Sequence, residues 1–153
     1  MNNALMDWSV LLPEIVLASG ICVLLVLDLF VRDSARDLSY LLAIFLLAGV
    51  AWVLIGTSPE STAQLAAGGA YVADDLARVL KLFAVTAVAT VFLYSRPWLR
   101  SRKLHFGEYY VLGLFGLLGV MVLASGYSLL VSYIGLEILS LSLYAMVAFD
   151  RDS

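Results

Sequence analysis

The stretch LLVSYIGLEILSLSLYAMVAF, residues 129–149, decides the fold because it is a long apolar segment with one charged side chain, Glu137. A helix of about 20 apolar residues spans the hydrocarbon core of a bilayer, which is about 30 Å thick. An ionised carboxyl near the middle of such a helix costs on the order of 3 kcal/mol by insertion scales. Acidic residues at that depth usually face a protein interior or a wet cavity and serve ion or proton transfer. The stretch therefore predicts a transmembrane helix with a functional acid at Glu137.

The composition extends this interpretation to the whole chain, whose 153 residues are 63% hydrophobic and only 14% charged. Soluble domains carry about 25% charged residues, and the mean hydropathy here is +0.99. These values predict an integral membrane protein surrounded by the lipid bilayer. The single cysteine, Cys22, excludes an intramolecular disulfide, and the single histidine, His105, has no partner histidine. We therefore expect no metal centre in this chain.

Five apolar segments, separated by polar or turn-forming residues, predict an all-α bundle of five transmembrane helices that forms a single domain over residues 1–153. Pro13 suits the first helical position, which would place Glu14 in the first turn at the outer surface. The pair Arg96-Pro97 is expected to end the third helix. The predicted helices cover residues 13–31, 38–55, 76–94, 109–124 and 129–149.

The positions of the basic residues predict the orientation of the bundle. Most lysines and arginines lie in the first connector, the third connector and the C-terminal tail, whereas the second connector, residues 57–73, holds none. Because cytoplasmic loops are enriched in lysine and arginine, we expect the N-terminus outside and the C-terminus inside. Aromatic residues near the segment ends are typical of the headgroup zone; they are Trp8, Tyr40, Tyr71, Tyr94, Trp98, Tyr109, Tyr110 and Tyr127.

Four polar residues of the fifth segment share one helix face, because their spacings of four, three and four match the helical period. They are Tyr133, Glu137, Ser140 and Tyr144, which we call the polar seam. One interpretation is a proton relay or the wall of a hydrated channel, with Glu137 as the exchanging group. The other is a structural carboxyl, protonated or salt-bridged, that holds helices together. The hydrogen-bonding capacity of the other seam residues favours the functional interpretation.

Other charged residues near the membrane have simpler interpretations. Asp28 and Arg32 are four residues apart, which is typical of an ion pair at the interface. Arg78 follows two aspartates, Asp74 and Asp75, at a spacing that permits local pairing. Lys81 has no local acid four residues away, so it is either an interfacial anchor or the partner of a carboxyl on another helix.

Small residues and the basic connector carry no sign of nucleotide or nucleic-acid binding. Gly113, Gly116 and Gly119 lie in an apolar helix without a following lysine, so close helix packing explains them better than a phosphate loop. The basic connector, residues 95–105, is interpreted as a determinant of topology, and we expect no contact with nucleic acid.

Several motifs together resemble one family. The sequence Leu136-Glu137-Ile138-Leu139-Ser140-Leu141 is similar to the fifth-helix signature of subunit N of proton-pumping NADH:quinone oxidoreductase, respiratory complex I. Related antiporter-like subunits typically have tryptophan directly before the acid, where this chain has Leu136. One departure is Ser142, where many members have proline. Supporting motifs are Leu12-Pro13-Glu14, Asp28-Leu29-Phe30, Asp75-Leu76-Ala77-Arg78 with Lys81, and Arg96-Pro97-Trp98-Leu99.

The resemblance implies a function and a set of partners. The parent enzyme oxidises NADH and reduces a quinone, and its antiporter-like subunits move protons across the bacterial inner membrane. By resemblance, Glu137 transfers protons. The polar seam, predicted from helical spacing, and Lys81 are further candidates for that path. Flavin, iron–sulfur clusters and quinone are expected in other subunits and not in this chain, whose partners would be other membrane subunits of the complex.

The length of the chain departs from the family pattern. Members have about fourteen helices built from two inverted five-helix repeats, and Glu137 corresponds to a glutamate that pairs with a lysine on the seventh helix. We therefore expect this chain to be an N-terminal fragment or the product of a split gene. Two alternatives remain open: a subunit of a multisubunit cation/proton antiporter, and a membrane scaffold whose helices only pack.

Overall fold

The computed structural model describes residues 8–30, 36–57, 64–102, 106–149 and 151. Within them lie five helices that are each long and apolar enough to cross a membrane, which confirms the predicted all-α fold. A short two-stranded hairpin lies between the second and third helices. The elements are α1 Trp8–Phe30, α2 Arg36–Gly56, β1 Gln64–Ala66, β2 Tyr71–Ala73, α3 Asp75–Arg102, α4 Phe106–Ser125 and α5 Leu129–Phe149.

The first and third helices are longer than predicted, because both continue through a proline. Pro13 lies inside α1 and not at its start. Proline has no N–H group, so the backbone carbonyl four residues earlier has no helical donor, and this carbonyl lies in the first turn of α1. Pro97 lies inside α3, although the sequence predicted an end before it. The fully buried Leu99 holds this part of α3 in the core, and such packing offsets the cost of a proline in a membrane helix. The bounds of α5 match the prediction.

The hairpin was not predicted, since its strands have only three residues each. Its turn contains Gly68 and Gly69, whose φ angles of 68° and 88° lie in the left-handed region that favours glycine. The carbonyl oxygen of Ala70 accepts hydrogen bonds from the backbone N–H groups of Tyr127 and Ser128. The hairpin is therefore tied to the turn between α4 and α5, and it covers one end of the bundle.

Helix α4 is central, since it packs against each of the other four helices. Its side chains Leu114, Leu117 and Met121 are fully or almost fully buried. Two tyrosines near helix ends belong to the core: Tyr40 is buried, and Tyr110 is completely buried. Their ring centroids are 5.7 Å apart. The two rings pack inside the bundle because Tyr110 lies on the central helix.

The close contact between α4 and α5 depends on glycine, as the sequence predicted for α4. A Cβ atom added to Gly119 would lie 2.7 Å from the backbone nitrogen of Leu139. The matching residue on α5 is Gly135, which was not predicted from the sequence; its added Cβ would lie 2.8 Å from the backbone nitrogen of Leu123. Gly113 leaves room for the ring of Phe92 on α3. Because these glycines have no side chain, the helix backbones come close together, and the contact fixes the rotation of α5.

Candidate functional site

The rotation of α5 decides where the polar seam points. The buried residues of α5 are Gly135 and Ser142, which lie seven positions apart on the face that packs against α4. Glu137 is two positions after Gly135, and two helical positions correspond to about 200°. The side chain of Glu137 therefore lies on the opposite face and is exposed on the surface of the bundle.

The other seam residues follow Glu137. The side chains of Tyr133 and Tyr144 are 61% and 72% exposed, and Ser140 is half-buried. The Ser140 hydroxyl donates a hydrogen bond to the carbonyl oxygen of Leu136 at 2.8 Å. Within the described part of the chain, no ion pair reaches Glu137. The structure thus places the four residues on one open face, and it brings none of them into contact with Lys81.

A second group of polar residues is buried at the end of the bundle that the hairpin covers. Glu14 on α1 and Lys81 on α3 form an ion pair, with 2.5 Å between Oε1 and Nζ. The Tyr71 hydroxyl on β2 donates a hydrogen bond to the same carboxylate oxygen and accepts one from Lys81 Nζ at 3.1 Å. We call these three residues the hairpin-end cluster. Each of them is more than 90% buried, since their exposed fractions are 6%, 4% and 4%.

The helices position this cluster by simple geometry. Glu14 is six residues after the start of α1, and Lys81 is six residues after the start of α3. At about 1.5 Å per residue, both side chains leave their helices about 9 Å from the hairpin end. This equal depth was not visible in the sequence, because α1 was predicted to start at Pro13 and not at Trp8. The ion pair fits the second alternative predicted for Lys81, a carboxyl partner on another helix.

The structure corrects the predictions for Glu14 and Tyr71. Glu14 was expected at the outer surface of a helix start, but α1 begins at Trp8, so the carboxyl lies deeper and faces α3. Tyr71 was expected in the headgroup zone, but strand β2 turns its ring into the bundle. Burial, followed by the nearby negative charge of Glu14, raises the pKa of Tyr71 well above its usual range. The phenol is therefore neutral and available as a hydrogen-bond donor.

Two buried atoms, one in this cluster and one beside it, have no hydrogen-bond partner among the described residues. They are the second carboxylate oxygen of Glu14, Oε2, and the hydroxyl of Ser125, Oγ, at the end of α4. The Ser125 hydroxyl lies close to the Tyr71 hydroxyl without forming a complete hydrogen bond. Its effect is to lower the pKa of Tyr71, which opposes the larger effect of burial. The cluster and its surroundings thus involve α1, β2, α3 and α4.

Two other charged residues have contacts that the sequence did not predict. Asp28 was expected to pair with Arg32, which lies outside the described residues; its carboxylate accepts a hydrogen bond from Ser39 Oγ at 2.9 Å. Arg78 does not use its guanidinium on the neighbouring aspartates. It donates to the carbonyl oxygens of Leu54 and Ile55, at 2.7 and 3.0 Å, because the last carbonyls of α2 lack helical partners.

Acidic side chains hold the ends of other helices. The carboxylate of Asp74 accepts a hydrogen bond from the Ala77 N–H at 2.7 Å and caps the first turn of α3. The carboxylate of Asp37 pairs with Arg96 and Arg100 of α3, at 3.1 and 2.7 Å. Among the described residues, no group of three histidine, cysteine or acidic side chains could hold a metal ion.

Comparison with known proteins gives consistent relatives. The chain is 49% identical over 148 residues to NADH-quinone oxidoreductase subunit N of Thioalkalivibrio sulfidiphilus, covering 96% of this chain and 30% of that protein. It is 47% identical over its full length to the subunit N of Thiobacillus denitrificans and 46% identical to that of Acidithiobacillus ferrooxidans, covering 32% and 31% of those proteins. No family model matches. The chain spans about a third of the length of the curated relatives it matches.

These relatives and the five helices agree on the environment of the chain. The helices are long and apolar enough to span a bilayer, and the relatives are bacterial proteins. The chain is a multi-pass integral membrane protein of the bacterial inner membrane, as the sequence predicted. The named relatives do not favour the cation/proton antiporter alternative.

Proposed function

Because this chain is homologous along its whole length to NADH-quinone oxidoreductase subunit N, we propose that it takes part in proton translocation coupled to electron transfer from NADH to quinone. The observation that carries the proposal is Glu137, a carboxyl in the middle part of a transmembrane helix. Its exposed position on the bundle surface would be unfavourable against acyl chains, at a cost on the order of 3 kcal/mol. A protein partner or a hydrated path against this face removes that cost.

The partner implied by the resemblance is a lysine on a helix that is not among these five. An ion pair between Glu137 and that lysine would hold the lysine in its charged form. When the pair opens, the lysine loses this stabilisation and releases a proton, and when the pair forms again the lysine takes up another. Glu137 therefore acts through its charge, and the lysine carries the proton.

The other seam residues suit a path for that proton. The phenol groups of Tyr133 and Tyr144 and the hydroxyl of Ser140 can both donate and accept hydrogen bonds. They lie on the same open face as Glu137, with Tyr133 one turn before it and Tyr144 about two turns after it. This arrangement supports a chain of hydrogen-bonded water along α5, in which Glu137 is the only charged group.

The proposal is tested by the substitution Glu137→Gln in the assembled complex in membrane vesicles. We expect NADH-driven proton translocation to fall at least about tenfold, since glutamine lacks the charge that holds the lysine protonated, and a shift of one unit in the pKa of that lysine is a factor of ten. Assembly should persist because glutamine keeps the shape and hydrogen-bonding capacity of the side chain. The matched control is Glu108→Gln, which removes an exposed carboxyl in the first turn of α4.

Two results would contradict the proposal. One is proton translocation in Glu137→Gln equal to that of the Glu108→Gln control. The other is a Glu137→Leu variant that assembles, translocates protons normally and is more stable than the parent. The second result is the behaviour of a packing scaffold, since leucine removes the cost of a charged side chain at membrane depth.

A further inference from the structure

The hairpin-end cluster of Glu14, Tyr71 and Lys81 contains more polar chemistry than helix packing requires. A buried ion pair contributes little net stability, because the cost of removing both charges from water is comparable with their attraction. An apolar pair of similar volume at these positions would hold α1 and α3 together at least as well. Packing alone therefore does not explain a carboxylate, a phenol and an ammonium that are all in mutual contact.

The unpartnered atoms beside the cluster indicate a ligand. Buried polar atoms in proteins almost always have a hydrogen-bond partner, either protein or ordered water. Glu14 Oε2 is an acceptor and Ser125 Oγ is both donor and acceptor, and neither has a partner within the described residues. A water molecule supplies the donors and acceptors that both atoms need. The chemistry of the site thus suits bound water in contact with the carboxylate.

The hydrogen bonds already have the direction that a proton transfer requires. Lys81 Nζ donates to the Tyr71 hydroxyl oxygen, and the Tyr71 hydroxyl donates to Glu14 Oε1. If Tyr71 passes its proton to Glu14 and takes one from Lys81, one proton has moved and the phenol is restored. The products are a neutral amine and a neutral carboxylic acid. This transfer leaves no isolated charge in a site of low dielectric, so the neutral state is accessible.

Two charged residues at the same end of the bundle have other partners. Arg78, one turn before Lys81, donates to carbonyl oxygens of α2, and the Asp74 carboxylate caps α3. From the described parts of α1, β2, α3 and α4, the cluster therefore receives one acid, one base and one neutral phenol. Strand β2 carries the phenol and lies at the end of the bundle, about 9 Å along α3 from Lys81.

We propose that Glu14, Tyr71 and Lys81 form a second proton-exchange site, separate from Glu137, which binds water at Glu14 and Ser125 and exchanges protons with the aqueous phase at the hairpin end. Lys81 is the group that loses and regains the proton, Glu14 receives it through Tyr71, and the bound water carries it onward. This inference rests on the proposed function, since it adds an exchange site to a protein that translocates protons.

The sharpest test is Tyr71→Phe in the assembled complex, because it removes the relay hydroxyl and leaves the Glu14–Lys81 contact in place. The matched control is Tyr127→Phe, the same chemical change at an exposed residue near the same end of the bundle. We expect NADH-driven proton translocation to fall about tenfold in Tyr71→Phe and to stay unchanged in the control. The ratio of the rates in H2O and D2O should also rise in Tyr71→Phe, since proton transfer then limits the rate.

A second measurement does not depend on the rate of proton translocation. Infrared spectra of the complex, recorded as the difference between resting and turning-over states, should show the C=O stretch of a protonated carboxyl that is lost in Glu14→Gln and retained in Glu108→Gln. The proposal is overturned if Tyr71→Phe keeps the parent's translocation rate and isotope ratio while Glu137→Gln is impaired; the proposed function then stands. Unimpaired translocation in Glu137→Gln would instead remove the proposed function. A Tyr71→Phe variant that loses assembly, with normal translocation per assembled complex, would assign the cluster a structural role and also overturn the proposal.

Discussion

The substitution Gly119→Ala tests whether the contact between α4 and α5 depends on the absence of a side chain. The added Cβ would lie 2.7 Å from Leu139 N, 2.9 Å from Gly135 O and 3.0 Å from Leu139 Cα. Ordinary contacts of a Cβ begin near 3.4 Å, and all three neighbours are backbone atoms that cannot rotate away. The two helices must therefore separate by about 0.7 Å, the difference between 3.4 and 2.7 Å.

A separation of this size has a predictable energetic cost. A gap of about 0.5–1 Å removes a quarter to a half of the dispersion energy of each contact along the interface. Overpacked substitutions in well-packed cores cost about 1–3 kcal/mol, and we expect Gly119→Ala to lower the free energy of unfolding by about 2 kcal/mol. At about 1.4 kcal/mol per factor of ten, this corresponds to roughly a 30-fold change in the folding equilibrium constant.

The assay is reversible unfolding of the protein in mixed micelles, followed by circular dichroism. The matched control is Gly116→Ala, one turn earlier on the same helix, where the added Cβ would meet Ser142 Cβ at 3.9 Å. That distance is an ordinary contact, so this variant should differ from the parent by less than about 0.5 kcal/mol. Equal stability of the two variants would refute the inference that backbone contact at Gly119 fixes α5.

The hairpin-end cluster gives two further predictions. Lys81→Met alone should lower the free energy of unfolding by about 3–5 kcal/mol, because it leaves the Glu14 carboxylate buried without a cation. The double variant Glu14→Leu with Lys81→Met should recover most of that loss. Equal destabilisation in the single and double variants, measured by the same unfolding assay, would contradict the ion pair. Burial raises the pKa of Tyr71 above the usual value of 10.0, so the folded state keeps its proton where the unfolded state loses it. Stability from this group is complete below pH 10 and should fall by about 1.4 kcal/mol per pH unit above it. The Tyr71→Phe protein should lack this part of the slope in unfolding curves collected above pH 10, and Tyr127→Phe should retain it.

The number of helices and the bounds of α5 could be predicted from the sequence because each depends on a single long apolar segment. Apolar length is a local property, and it locates a transmembrane helix whatever the helix packs against. The ends of α1 and α3 could not be predicted in the same way. Proline breaks a helix in water, but the core contacts of Leu99 retain Pro97 within α3. Such tertiary contacts are not visible in a local pattern.

Of the two candidate sites, one follows from a local pattern in the sequence and the other depends on tertiary contacts. The polar seam of α5 follows from spacing within one helix, so the shared face of Tyr133, Glu137, Ser140 and Tyr144 could be predicted. The hairpin-end cluster joins three elements that are far apart in the sequence, and 57 positions separate Glu14 from Tyr71. Its assembly depends on the offset of α1 relative to α3 and on an unpredicted strand, neither of which a local pattern contains.

The two proton sites proposed for this chain lie at similar depths. Glu137 is eight residues after the start of α5, or about 12 Å along its axis, and Lys81 is about 9 Å along α3. Both helices begin beside the hairpin, because α5 follows the turn that is bonded to Ala70 and α3 follows strand β2. The packing of Gly119 against Gly135 turns Glu137 away from α4, while Lys81 points into the bundle. A change in the rotation of α5 would therefore move Glu137 without moving Lys81. This separation is what allows the substitutions Glu137→Gln and Tyr71→Phe to report on the two sites independently.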